Sequence, residues 1–173
     1  MLTPNSKSFI LREANPDDMP LLMELIRELA AYEKISHEVQ TNEEMLKEAI
    51  FTNKVAHALM AEYEGAPAGY ILYFFSFSSF LGLPGLYLED IYIRPEYRGR
   101  GFGKASLAYL ARLAVEKNCW GMAWTVLDWN KPSIGFYEEL GAVNRGGWLI
   151  YRLKGEKLSR LALTAHPEVA GQS

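Results

Sequence analysis

Residues 97–104, with the sequence YRGRGFGK, carry the clearest chemical signal in this chain. Glycine at every second position leaves consecutive backbone N–H groups uncovered by side chains. The segment follows a strand-like run and opens a helical pattern, so these N–H groups meet at a helix N-terminus, where anions are favoured. The side chains of Arg98, Arg100 and Lys104 add positive charge. This pattern is typical of a site for a phosphate or pyrophosphate group.

Three kinds of phosphate-binding loop compete with an ordinary glycine-rich turn for this segment. A P-loop requires Gly-x4-Gly-Lys-Ser/Thr, which does not occur here. A dinucleotide-binding fingerprint requires Gly-x-Gly-x-x-Gly early in a βαβ unit, whereas Gly99, Gly101 and Gly103 lie past the midpoint of the chain with a different spacing. A coenzyme A pyrophosphate loop is the third possibility. The loop alone leaves a phosphate site and an ordinary turn equally open.

The elements that would position this loop alternate between strand and helix. Strand-like runs rich in β-branched and aromatic residues cover 8–13, 55–63, 68–77, 86–93, 120–127 and 147–153. One helical pattern begins after Asn15, and a second begins at a capping box over 41–44 and runs to about residue 50. Further helical patterns cover 103–117, 132–140 and a short C-terminal stretch. Residues 64–67 read as the connection of a hairpin. The alternation predicts a mixed α/β fold.

Composition excludes several classes of protein. A chain of 173 residues, 49% hydrophobic and 23% charged, is expected to form one globular domain over 1–173. A net charge of −3 argues against a nucleic-acid-binding protein, whose surface is strongly basic. No run approaches the roughly 18 apolar residues that cross a bilayer, so no membrane association is expected. The single cysteine, Cys119, favours a cytoplasmic location, and the histidines lack the spacing of metal ligands.

The segment Arg98-x-x-Gly101-x-Gly103 resembles the Arg/Gln-x-x-Gly-x-Gly/Ala motif of the Gcn5-related N-acetyltransferases (GNAT). Three longer blocks, LYLEDIYIRPEYRGRGFG, VLDWNKPSIGFYEELGA and LIRELAAYEKIS, are similar to the diamine acetyltransferase family, especially its thialysine N-acetyltransferase branch. The resemblance implies a mixed sheet of six or seven strands with helices on both faces. It covers about residues 8–155 and leaves a tail at about 164–173 that we expect to be flexible.

The resemblance also implies roles for individual residues, with acetyl-CoA as the co-substrate and no metal. The expected coenzyme contacts are the pyrophosphate loop, one strand backbone and the start of a later helix: Arg98, Gly99, Arg100, Gly101, Phe102, Gly103 and Lys104; Ile91, Tyr92 and Ile93; Asn130, Ser133 and Tyr137. Coenzyme would enter between the strands at 86–93 and 120–127. Tyr137 would be the general acid and Glu89 the base or the group that orients the amine. The expected acceptor contacts are Tyr32, Glu33, Glu89 and Trp124, in part across the interface of a homodimer.

The chemistry of amide formation agrees with these residue types. An alkyl amine with a pKa near ~10.4 is protonated at pH 7 and must lose a proton before it attacks a thioester, which a carboxylate such as Glu89 can accept. The departing thiolate needs a proton or hydrogen bond, which a phenol can donate. The residues alone also allow Tyr137 as a core aromatic and Asn130 as a turn residue. Glu89 and Asp90 face opposite sides of a strand, so one of them could be an ordinary surface carboxylate.

Two positions bear on the amine that would be acetylated. Spermidine/spermine acetyltransferases, which this chain resembles, carry an aspartate where Ser78 stands and a glutamate just before the Gly-Trp pair, where the loop 144–148 has arginine and glycine. Two anionic anchors for a long polyamine are therefore replaced. The sequence favours a short, lysine-like amine, with protein lysine or N-terminal acetylation and a non-catalytic acetyl-CoA sensor as alternatives.

Overall fold

A computed structural model describes residues 8–165 of the chain. The chain divides between Trp129 and Asn130 into two compact units. The first contains a five-stranded sheet and helices α1 (Met19–Tyr32), α2 (Glu43–Lys47) and α3 (Phe102–Glu116). The second contains helices α4 (Lys131–Glu139) and α5 (Glu156–Ala162). The tail expected at about 164–173 lies, from residue 166 onward, outside the described residues.

The sheet has the strand order β1-β2-β3-β4-β5. Its strands are β1 (Phe9–Glu13), β2 (His57–Tyr63), β3 (Ala66–Ser78), β4 (Leu83–Ile93) and β5 (Met122–Ala123). Strands β1 to β4 pair with one another in antiparallel fashion, and β5 lies parallel to β4. A mixed sheet was predicted, and so were the positions of β1 to β4.

The predicted count of six or seven strands was wrong for the described residues. The run 120–127 yields only the two residues of β5, and 147–153 is not assigned to any strand. Both runs have the side chains that strands favour. A strand also needs a hydrogen-bonded neighbour, however, and β propensity alone does not supply one.

The first helical segment begins after Asn15, where the sequence indicated, with a 3-10 turn over Pro16–Asp18 that continues into α1 at Met19. The Asn15 side chain accepts a hydrogen bond from the Asp17 N–H at 2.9 Å, and the Asn15 N–H donates to the Asp18 carboxylate at 2.8 Å. Arg12 of β1 binds the same carboxylate at 2.7 Å, which fixes the helix start to the sheet. This reciprocal cap satisfies backbone donors that a helix start otherwise leaves unpaired.

Helix α2 corrects one detail of the prediction. Its N-cap is Asn42 rather than Thr41, because the Asn42 side chain accepts from the Met45 N–H at 2.9 Å. The α-helical part ends at Lys47, and the chain continues as a π-helical turn over Glu48–Thr52. The predicted helix through residue 50 is therefore present but changes its winding.

Helices α1 and α3 cover opposite faces of the sheet, as predicted. The core on the α1 side contains Met60 of β2 and Tyr92 of β4. The core beside Phe102 of α3 contains the next residue along each strand, Ala61 and Ile93. Since successive strand residues point to opposite faces, the two helices lie on opposite sides.

Candidate active site

Strands β4 and β5 are paired over a short distance only. Their parallel register covers Leu86 with Met122 and Tyr87 with Ala123. From residue 88 onward, β4 has no paired β5 residue within the described chain. An extended ligand could pair with β4 here as an added strand does, although the Ile93 carbonyl already accepts a hydrogen bond from the Arg98 Nε at 2.8 Å. This is the place where the sequence predicts the coenzyme, along Ile91, Tyr92 and Ile93.

A β-bulge lies in β4 at the candidate base. Leu72 of β3 is opposite Asp90, whereas the next residue, Tyr73, is opposite Leu88. Glu89 is therefore the extra residue of β4, and its side chain is exposed. Bulges occur often next to active sites, and the role of Glu89 toward an amine stays a prediction.

Asp90, to which the sequence assigned no role, lies in an environment that is unusual for a carboxylate. It is half-buried and accepts a hydrogen bond of 3.1 Å from the hydroxyl of Tyr70, a fully buried residue. Burial raises the pKa of Asp90 to about 6. Burial also raises the pKa of Glu33, whose charge acts on Asp90. A carboxylate inside the apolar run LYLEDIYI was the sequence signal that could have identified it.

The glycine-rich loop has the backbone that its sequence predicts. Gly99 and Gly101 have φ values of +73° and +82°, in the region that favours glycine. A Cβ at either position would meet nothing within 4 Å, so the backbone conformation rather than space calls for glycine. Gly101 is the N-cap of α3, and its carbonyl accepts from the Ala105 N–H at 2.9 Å. The earlier N–H groups of this helix point out of its N-terminus, as an anion site requires.

The start of α3 is held firmly against the sheet. The ring of Phe102 stacks on Phe9 with 4.3 Å between centroids, and it contacts Tyr63 at 5.0 Å. The guanidinium of Arg100 lies over the same Tyr63 ring at 5.3 Å. The loop is therefore braced on its α3 side by aromatic contacts.

The other side of the loop faces α1 through Arg98. The Arg98 Nε donates to the Ile93 carbonyl at 2.8 Å, and the guanidinium lies over the rings of Tyr32 and Tyr92. A groove of about 520 Å³ opens beside these contacts, lined by Glu28, Ala31, Tyr32, Tyr92, Arg94, Pro95, Glu96 and Arg98. The groove joins the end of β4 to the C-terminal part of α1.

An ion-pair network fixes that part of α1 to β4. Arg94 binds Glu28 at 2.7 Å and also binds Glu24, one helical turn earlier. The Arg94 guanidinium holds the pKa of Glu28 below its usual range, and the two carboxylates raise the pKa of Arg94. Burial, and after it the Glu28 carboxylate, raise the pKa of Tyr92. The network keeps α1 in register with the strand that carries the candidate base.

The predicted acceptor residues sit at two places in the first unit. Tyr32 ends α1 and Glu33 is its C-cap. The Tyr32 ring contacts Trp129 with 6.2 Å between centroids. Trp124 follows β5 and is half-buried. The structure brings Glu33 and Tyr32 to the neighbourhood of Asp90 and Arg98 respectively, and the contacts of these residues with an amine stay predictions.

Three predicted residues belong to the second unit. Asn130 is the N-cap of α4, where its side chain accepts from the Ser133 N–H at 3.4 Å. Tyr137 lies on the same helix, half-buried, with its ring 5.4 Å from that of Phe136. The capping role accounts for asparagine at position 130 without a ligand. Roles for Asn130, Ser133 and Tyr137 toward coenzyme stay predictions.

Metal-binding groups and membrane-spanning helices can be described for residues 8–165. In this part of the chain, no group of three or more His, Cys, Asp or Glu side chains is arranged to hold a metal ion. None of the helices there has the length and apolar character needed to traverse a bilayer.

Known proteins resemble this chain over most of its length. The model of the acetyltransferase (GNAT) family matches residues 22–142. A thialysine N-epsilon-acetyltransferase from Sus scrofa is 40% identical over 167 residues, which cover 90% of this chain and 98% of that protein. An L-ornithine N5-acetyltransferase from Arabidopsis thaliana is 28% identical and covers 87% of this chain and 86% of its own length.

The fold has solved counterparts. A structure of an aminoglycoside N-acetyltransferase in complex with CoA superposes with a TM-score of 0.69 at 21% identity, covering 89% of this chain and all of that one (100%). At this identity the likeness concerns the fold.

Proposed function

We propose that this chain transfers acetyl directly from acetyl-CoA to a primary amine of a small, lysine-like compound or diamine. The chain belongs to the acetyltransferase (GNAT) family and is an N-acetyltransferase. The observation that carries the proposal is the glycine loop at the N-terminus of α3, next to a β4 edge that β5 leaves unpaired. A pyrophosphate and an extended pantetheine arm require those two features side by side.

The residues present fit coenzyme A by their geometry. Backbone N–H groups of residues 99–104 would hold the pyrophosphate, with the charges of Arg100 and Lys104 nearby. The backbone of Ile91 to Ile93 would pair with the amides of the pantetheine arm. Acetyl-CoA supplies the activated acetyl group when bound. The protein supplies position, because holding an amine against a thioester replaces a bimolecular encounter.

Proton transfer completes the proposed reaction. Glu89, exposed at the bulge, would take a proton from the ammonium through water, and the freed nitrogen lone pair would attack the thioester carbonyl carbon. The carbon–sulfur bond then breaks, and the Tyr137 hydroxyl would give its proton to the departing sulfur. The second proton lost by the nitrogen, as it becomes an amide nitrogen, would return the Tyr137 phenolate to the phenol. The role of Tyr137 rests on family resemblance. No covalent intermediate with the protein is needed.

The negative charge around Asp90 and Glu33 favours a cationic acceptor. Ser78, at the tip of the β3–β4 hairpin, offers no carboxylate to a distal ammonium. The relatives named for thialysine and L-ornithine act on compounds that are amino acids with a side-chain amine. These features together support a short acceptor over a long polyamine.

Two broader features are also proposed. Family resemblance supports a homodimer, with Tyr32 and Glu33 close to the partner's acceptor site. The single cysteine, Cys119, supports a cytoplasmic location. Light scattering during size-exclusion chromatography measures the first directly. A monomer with full activity would remove the dimer from the account of the site.

The function is tested by thiol release from acetyl-CoA with a panel of amines: thialysine, lysine, ornithine, putrescine and spermidine. We expect thialysine or ornithine to drive release faster than spermidine at equal concentration. Tyr137→Phe should release thiol at least ~100-fold more slowly, since general acid catalysis contributes 10²–10⁴-fold. Turnover of protein lysines alone would move the activity to protein substrates. Coenzyme binding without any turnover would indicate a sensor.

A further inference from the structure

The Arg98 side chain is engaged by the protein on three sides. Its Nε donates to the Ile93 carbonyl at 2.8 Å. Its guanidinium carbon lies 4.8 Å from the ring centroid of Tyr32 and 5.7 Å from that of Tyr92. Tyr32 is the last residue of α1, whereas Tyr92 and Ile93 belong to β4. One side chain therefore links the first residue of the glycine-rich loop motif to two other elements.

The groups around Arg98 are themselves fixed. The Glu28 carboxylate of α1 raises the pKa of Tyr92 after burial does, and Glu28 is itself bound by Arg94. A planar guanidinium can stack on an aromatic ring while its N–H groups donate hydrogen bonds in the plane of the guanidinium. An ammonium group cannot reproduce this arrangement. Arg98 is an exposed residue, but one hydrogen bond and two cation–π contacts give its guanidinium defined partners in the protein.

We propose that Arg98 is a positioning residue, which clamps the entrance of the coenzyme loop to the Tyr32 end of α1, rather than a ligand of the coenzyme phosphates. The inference rests on the proposed function, because it assumes that coenzyme A binds at this loop. Its physical basis is entropy: Gly99 and Gly101 leave the loop many conformations, and a clamp removes that freedom before binding. Glu33, a predicted acceptor contact, follows Tyr32 directly. The same clamp therefore sets the coenzyme loop relative to the acceptor end of α1.

The test measures the dissociation constant of coenzyme A by isothermal titration calorimetry, with the full chain and four variants. Tyr32→Leu removes the ring, although Tyr32 lies outside the loop, and should weaken binding about 3- to 10-fold. Arg98→Lys keeps the charge but loses the planar stack, and it should weaken binding by a similar factor. The double variant should bind coenzyme A no more weakly than whichever single variant has the lower affinity, because both changes remove the same clamp. Tyr32→Phe keeps the ring face and should restore wild-type affinity.

A matched control exists on α3. The guanidinium of Arg112 lies over the Tyr109 ring at 5.2 Å, in a comparable stack away from the loop. Tyr109→Leu should leave the affinity for coenzyme A within about twofold of wild type. This separates the loss of a clamp at the loop from the general loss of an aromatic contact.

Two results would overturn the proposal. Wild-type affinity in Arg98→Lys would show that charge alone matters, as expected of a phosphate ligand. Losses that multiply in the double variant would show that Arg98 and Tyr32 act separately. Failure of the proposed function gives a different result, namely coenzyme binding by the wild type without thiol release on any amine.

Discussion

Replacing Asp90 with asparagine should stabilise the protein near neutral pH. Burial raises the pKa of Asp90 to about 6 from an ordinary value of 3.8. A carboxyl group with a raised pKa binds its proton more tightly in the folded than in the unfolded state. Folding is therefore favoured by this group below pH 3.8, and that contribution is lost as the pH rises to about 6. At pH 8 the buried charge remains as a penalty.

The size of the penalty follows from the two pKa values. A difference between 3.8 and about 6, at 1.36 kcal/mol for each unit, corresponds to about 3 kcal/mol at pH 8. At pH 4.5 the same two values give about 1 kcal/mol. Asparagine carries no charge, and its amide oxygen can still accept the hydrogen bond from Tyr70. Asp90→Asn should thus raise the free energy of unfolding by up to about 3 kcal/mol at pH 8, and by much less at pH 4.5.

The assay is urea denaturation, followed by tryptophan fluorescence, of wild type and variant at both pH values. Glu89→Gln is the matched control, because the adjacent carboxylate is exposed and its replacement should change stability by less than about 0.5 kcal/mol at either pH. A stability difference between wild type and Asp90→Asn that is the same at pH 4.5 and pH 8 would refute the reasoning. So would a variant that is less stable than wild type at pH 8.

Two further expectations concern glycines. Gly85→Ala should lower the free energy of unfolding by about 1–3 kcal/mol, because the added Cβ would collide with the indole of Trp120. Denaturant titration measures the loss, and equal stability would mean that this indole moves aside freely. Gly101→Ala should cost about 1–2 kcal/mol through its φ of +82° alone and should also weaken coenzyme A binding, which calorimetry measures; unchanged affinity would separate the loop backbone from the coenzyme site.

Local chemistry made much of the first unit predictable. Asn15 and Pro16 mark the start of α1 because a side-chain cap and a fixed proline φ act over a few residues. The turn at Glu64 and Gly65, between the apolar runs of β2 and β3, defines a hairpin in the same way. From Gly99 and Gly101 the sequence indicated uncovered backbone N–H groups, and their positive φ values are a finding of the structure.

Features that depend on distant partners could not be predicted in this way. The length of β5 depends on how far its own backbone stays beside β4. The run 147–153 has strand-like residues without a described partner strand. Asp90 is perturbed by Tyr70, which lies twenty residues earlier in the chain. The environment of Arg98 depends on Tyr32 of α1. In each case the sequence supplied a suitable side chain, while the three-dimensional packing determined its surroundings.

The central claim is tested most directly by mass spectrometry of the amine itself. The full chain is incubated with acetyl-CoA and thialysine, and acetylated amine and free thiol are measured in the same sample, beside Tyr137→Phe. We expect one acetylated amine for each thiol released, and a rate at least ~100-fold lower in the variant at equal coenzyme affinity. Coenzyme binding with no acetylated product from any amine of the panel would contradict the account.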